Sequence, residues 1–201
     1  MNINEIMKSR YTTKAYNKDK KIPAETIEKL EEVMQYGASS VNGQPWHFFI
    51  VSGDKKSELA EATESYNVQK SNDCSHLVVF CAKEYDEKHA KNVASTSDVM
   101  KMYEETLVGM AKRPDLEIWT AKQVYLNFGM FMVACASLAV DSTAMEGFKP
   151  DEVSKVLGLK EKGLKPLVMA ALGYRDANDI NDPSRTPKAR LPKEQVITVI
   201  K

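Results

Sequence analysis

Cysteine is scarce in this chain of 201 residues. Cys74, Cys81 and Cys135 form no C-x-x-C pair and no zinc-ligand spacing, so inert buried thiols are the plain reading. An odd count without a secretion signal also fits a reducing compartment. Histidine is equally sparse. His47, His76 and His89 stand apart from acidic clusters in sequence, so structural histidines are expected and a metal site is not. Net charge is absent too, since 28 Lys and Arg balance 28 Asp and Glu. A polyanion binder shows a basic surplus or stripe, and no such stripe stands out, so nucleic acid is not an expected partner.

The start, Met1-Asn2-Ile3-Asn4-Glu5, lacks the basic and apolar regions of a signal peptide, which makes a cytoplasmic location the default expectation. The longest apolar stretch, 124–140, is interrupted chiefly by Asn127 and Ser137. It falls short of the ~20 residues of a membrane span and reads instead as a fully buried central helix. G-x-G-x-x-G is missing, and Leu164 stands where a Walker motif with Gly158 and Gly163 would need lysine. No nucleophile elbow supports a hydrolase.

What remains is an ordinary globular composition, 43% hydrophobic and 28% charged, sized for a single domain over residues 1–201. Ile3, Ile6 and Met7 outline a short first helix. Pro23 opens a second, with Ile27, Leu30, Val33 and Met34 on one face, ending near Gly37. Apolar runs at 47–52, 76–82 and 165–173 predict strands, with a shorter one at 142–145. Helices are expected at 56–65, 86–111, 116–140 and 150–157. The polar segment 176–192 reads as an extended loop, and 196–200 as a strand in need of a partner. The class is α+β.

Three features carry chemistry. The segment 39–49 places hydroxyls, an amide, a turn, a proline and an aromatic between a helix and a strand, where a planar ligand with polar edges would fit. Arg10 continues the apolar stripe of the first helix, so an inward cation needs either a structural carboxylate or an anionic ligand. Lys188 and Arg190 alternate in an extended tail and can converge, either as a solvated pair or on a phosphate.

The motifs Arg10-Tyr11-Thr12-Thr13-Lys14, Ser39-Ser40, Asn42-Gly43-Gln44-Pro45-Trp46-His47, Asn67 with Lys70, and Asp73 through Phe80 occur in order. Ala121 through Asn127, Met145-Glu146-Gly147-Phe148 and Lys188 through Pro192 follow. Together they resemble the nitroreductase family of FMN-dependent NAD(P)H oxidoreductases, and are closest to its oxygen-insensitive nitroreductase and dihydropteridine reductase branch. The resemblance covers nearly the whole chain. It implies a homodimer with FMN at the interface, a nitroreductase-like fold with a central, mostly antiparallel sheet flanked by helices, and a C-terminal strand given to the partner subunit.

The same resemblance implies that Arg10, Lys188 and Arg190 hold the FMN phosphate, with Tyr11 and Thr12 beside them. Ser39, Ser40 and Asn42 would lie near the cofactor, Ser40 turned toward the partner's chemistry. Asn67 would meet the polar edge of the ring. Lys14 and Lys70 would support the reduced ring electrostatically, and Met145, Glu146 and Gly147 would lie over it. Flavin N5 carries the hydride in such a ping-pong cycle, so no protein acid or base is implied. NADH and NADPH remain equal candidates as donor. Nitroaromatics or quinones are the implied acceptors, with pteridine or enone reduction, or flavin storage without catalysis, as alternatives. Tyr103 and Phe148 are the expected substrate wall. Ala144 departs from the branch's frequent proline, and 84–117 is shorter than in the best-known relatives.

Overall fold

In a computed structural model describing residues 2–201, the elements alternate between helix and strand around one sheet. Helices α1 (Ile3–Ser9) and α2 (Ala24–Gln35) precede strand β1 (Trp46–Val51). Helices α3 (Gly53–Glu61) and α4 (Ser65–Asp73) lead into β2 (His76–Lys83). Next come α5 (Glu87–Ala94), α6 (Asp98–Lys101), α7 (Glu104–Met110) and the long α8 (Leu116–Ser137). Strand β3 (Asp141–Met145), α9 (Pro150–Leu157), β4 (Leu164–Gly173) and α10 (Lys193–Val196) complete the chain.

The four strands lie in the order β1-β2-β4-β3, every pair antiparallel. Central β2 is apolar on both faces because both are covered. Val78, Phe80 and Ala82 belong to a core shared with α2 and α8. Leu77, Val79 and Cys81 belong to a second core with residues of α3 and α9. This is strand periodicity with two buried faces. Phe80 anchors the first core edge-on to Phe128 and Phe131, with ring centroids 5.0 and 5.1 Å away.

Three expectations are corrected. The predicted helix 86–111 is three short helices, because Ser95 and Thr96 turn their hydroxyls back to the carbonyls of Asn92 and Val93. Ser97 then caps a new helix through the Met100 amide, an alternative that such residues offer the backbone. The helix expected at 56–65 starts earlier, at Gly53 in the left-handed region, and a separate helix, α4, follows it. Helix α8 is not buried all round: Leu126 is 48% exposed, Gly129 is exposed, and Met130, Val133 and Ala136 are only half-buried. The segment 196–200, expected as a strand in need of a partner, pairs with no described strand of its own chain. Val196 ends the single turn of α10, and Ile197, Val199 and Ile200 lie open.

Candidate functional site: two cation clusters and a strained loop

Residues 10–14 leave α1 in extended form. Thr12 bridges Ser142 on the outer edge of β3, and the Thr13 amide donates to the Ser142 carbonyl. Burial alternates along the segment: Tyr11 and Thr13 point inward, while Arg10 and Thr12 are half-buried and Lys14 is exposed. Arg10, Thr12 and Lys14 are therefore the less buried residues of the segment, and because the chain bends at Lys14, ~3.3 Å per residue sets an upper limit of about 13 Å between Arg10 and Lys14.

The tail fixes this segment. Asp179, fully buried, accepts from the Tyr11 hydroxyl at 3.1 Å and from the Lys14 amide at 3.1 and 3.2 Å. Its Oδ1 also accepts the Asn181 amide at 2.9 Å, and the Asn181 side-chain amide donates to the Thr12 carbonyl at 2.6 Å. The Arg175 guanidinium lies 4.8 Å from the Tyr11 ring centroid. Burial, foremost, pushes the Tyr11 phenol up to about 12, so it stays a neutral donor. The Tyr11 hydroxyl is thus engaged by the tail, while the residue lines the same cavity as Arg10.

At the Arg10 end three cations gather. The Lys188 ammonium donates to the Met7 carbonyl at 2.7 Å and also to the Arg10 carbonyl, closing the C-terminal turn of α1. Burial and the nearby Arg190 charge hold Arg10 below its ordinary value. Burial, then Arg10 and Arg190, do the same to Lys188. Among the described residues no carboxylate pairs with any of the three. Arg10 Nε is buried without a hydrogen-bond partner. A cavity of about 430 Å³ beside Arg10 and Tyr11 is lined also by Arg175, Asp141 and Asp182, and by neither Lys188 nor Arg190. Arg10 thus shares a cavity with two carboxylates but is in ion-pair contact with neither, and its charge is left for another partner.

The second cluster lies at the Lys14 end. Lys70 and Asn67 sit on the buried side of α4, Lys70 donating to Asn67 Oδ1 at 2.7 Å. Asn67 Nδ2 in turn donates to the Gly147 carbonyl at 2.8 Å. Burial and then the Lys14 charge hold Lys70 below the usual lysine value. Gly147 is tightly placed, since a Cβ there would lie 2.1 Å from the Tyr66 hydroxyl and 2.8 Å from Asn67 Nδ2. Glu146 accepts the Tyr125 hydroxyl at 2.6 Å. The side chains of Met145 and Phe148 pack in the second core.

The Ser39–Gln44 loop stands apart from both clusters. Val41, Asn42 and Gln44 have φ of 50°, 52° and 46°, a left-handed run that a β-branched residue strongly disfavours. The surroundings enforce it: Ser39 Oγ accepts the Gln44 amide at 3.1 Å, and Gln123 Oε1 accepts the Ser40 amide at 2.8 Å. The Gly43 carbonyl accepts from His89 Nε2 at 2.9 Å, and burial keeps His89 below the ordinary histidine value and hence neutral. Asn42 reaches only Met100, its Nδ2 3.7 Å from the sulfur. Strain of this sort costs stability and is retained where a loop must hold an unusual shape. Tyr103, 53% exposed, caps α7 and touches neither cluster through any hydrogen bond.

Asp179 holds the 10–14 segment and Gln123 the strained loop; Gln123 falls within the Ala121–Asn127 motif, whereas Asp179 has no sequence signature. Asp179 looks like any other acid of a polar tail. Among the described residues no group of three or more His, Cys, Asp or Glu is placed to hold a metal ion. No described helix is long and apolar enough to cross a membrane.

Known proteins resemble this chain in sequence and in fold. The nitroreductase family profile matches residues 7–174. The oxygen-insensitive NAD(P)H nitroreductase of Salmonella typhimurium is 34% identical over 220 aligned positions, covering 100% of both chains. A nitroreductase family protein from Streptococcus pneumoniae superimposes with a TM-score of 0.85 at 21% identity, over 99% of this chain and 100% of its own. A structure from Exiguobacterium sibiricum solved in complex with FMN gives 0.82 at 21% identity, over 100% and 98%. With the fold, the motif order and full-length similarity all in agreement, this chain belongs to the nitroreductase family.

Proposed function

We propose that this chain is an FMN-dependent NAD(P)H oxidoreductase that reduces nitroaromatics or quinones as a cytoplasmic homodimer. The observation that carries the reading is the triad of Arg10, Lys188 and Arg190, with which no carboxylate among the described residues pairs and in which Arg10 Nε has no partner. A phosphate supplies the missing charge, and the span to Lys14, at most ~13 Å, leaves room for a flavin to extend toward Lys70 and Asn67. When bound, FMN supplies the two-electron chemistry between NAD(P)H and the acceptor.

The residues of the chain do the rest. Arg10, Lys188 and Arg190 hold the phosphate, and Thr12 lines the path between the clusters. Asn67 offers its amide to the polar edge of the ring. Lys14 and Lys70 place positive charge where electron density rises on reduction, which favours the reduced ring. The Glu146–Gly147 backbone, pinned by Asn67 and Tyr125, covers it. No His-centred acid–base pair is needed.

Three features support a dimer. Strand β1 leaves one edge of the sheet unpaired. The half-covered apolar strip of α8 and the open side chains of Ile197, Val199 and Ile200 need burial. A tail strand laid on the partner's β1 would satisfy the β1 edge and the tail, and the α8 strip would pack against the partner itself. The strained Ser39–Asn42 loop, unconnected to its own chain's cations, would then meet the flavin held by the other protomer.

An anaerobic visible spectrum of the purified protein tests the proposal. A flavin band that NADH or NADPH bleaches, in a species of about 45 kDa (twice 22.6 kDa) on a sizing column, is the expected result. Protein that stays colourless after incubation with FMN would end the reading. Within it, Lys70→Gln should lower the reduction potential of the bound flavin. An unchanged potential removes Lys70 from the electrostatic role.

A further inference from the structure

Lys56 is a buried cation outside the clusters described above, only 6% exposed. It projects from α3 onto the C-terminal end of α4. Its ammonium donates to the carbonyls of Ser71 at 3.3 Å, Asn72 at 2.5 Å and Cys74 at 2.7 Å. All three protons are used, and all three acceptors belong to the end of one helix or the residue that caps it. Burial holds the group below its ordinary value. A desolvated charge of this kind is costly, and it is offset here by carbonyls that the helix itself cannot satisfy.

Helix α4 depends on that contact. It has only nine residues, and its N-terminus has no side-chain cap. Helices this short are marginal without tertiary support. Its last turn includes Lys70, whose carbonyl accepts the Cys74 amide, and Asn67 lies one turn before. Asn67 and Lys70 are joined to each other, and Asn67 to Gly147. Lys56 therefore sets the helix end from which the inner cation cluster projects.

We propose that Lys56 is a positioning residue for the flavin edge: by closing the last turn of α4 it holds Asn67 and Lys70 in the pose in which they meet the ring. The inference rests on the FMN reading above. It predicts an effect confined to the ring end of the cofactor, because the phosphate cluster is built from α1 and the tail.

The test compares Lys56→Met and Lys56→Arg with the parent protein, using FMN, riboflavin and the potential of the bound flavin. Lys56→Met should weaken FMN and riboflavin by the same factor, roughly tenfold, the size of one lost charge-assisted bond. It should also lower the potential, and Lys56→Arg, which keeps the cation, should restore most of both. Should the methionine variant fail to fold, Lys56→Gln still donates two bonds and carries the same comparison. A variant with a lower melting temperature but unchanged affinities and potential would reduce Lys56 to a structural cap and overturn the proposal. Loss of FMN with riboflavin binding intact would also overturn it. Failure of the parent protein to bind flavin is a separate result that strikes the FMN reading itself.

Discussion

Asp179→Ala should lower the unfolding free energy by about 3–5 kcal/mol, measured by urea denaturation of the flavin-free protein. The substitution strands three donors in a dry site: the Tyr11 hydroxyl and the amides of Lys14 and Asn181. Each costs about 1–3 kcal/mol when left unpaired. Asp179→Asn, which keeps one carbonyl acceptor, should recover part of the loss. Because Asp179 joins the 10–14 segment to the tail, the alanine variant should also lose FMN affinity at both ends of the cofactor. A stability change below about 1 kcal/mol would mean that the tail does not clamp the segment.

Arg10→Ala should weaken FMN about a hundredfold or more while changing riboflavin affinity little, since one guanidinium can give a phosphate two charge-assisted bonds of about 1.5–3 kcal/mol each. The sign of its effect on the empty protein is opposite. Burial and Arg190 already disfavour the Arg10 charge there. Removing it relieves that repulsion, so the flavin-free melting temperature should hold or rise while the stabilisation gained on adding FMN shrinks. Arg190 is exposed, and Arg190→Ala should show the same selectivity at smaller size. Equal losses for FMN and riboflavin would remove the triad from phosphate binding.

Much of this was readable from the chain. Strands β2 and β4 announce themselves because both faces are buried and the runs are continuously apolar. Arg10 stood out because it continues an apolar stripe with a charge. Among the described residues no carboxylate is within ion-pair distance of Arg10, which weakens its rival explanation, though Asp141 and Asp182 line the same cavity and Lys188 turned out to cap α1 as well. Helix α4 was invisible because Ser65, Asn67, Ser71 and Asn72 are weak helix formers and its stability comes from Lys56 in another helix. The inward turns of Tyr11 and Phe148 were also hidden. A motif fixes which residues are neighbours, but the local backbone decides which side of the chain each one faces. The breaks within 86–111 came from hydroxyls competing for backbone carbonyls, which a periodicity count does not register.

The open edge of β1 has a consequence for how this protein must be handled. Its strand WHFFIV offers unpaired backbone groups along an aromatic-rich segment, a template on which any extended chain can grow. Refolding from denaturant is then a race between correct pairing and runaway stacking of edges. Recovery of native material should fall as protein concentration rises, and a synthetic peptide of the last residues, supplied in excess during dilution, should occupy the edge and rescue the yield.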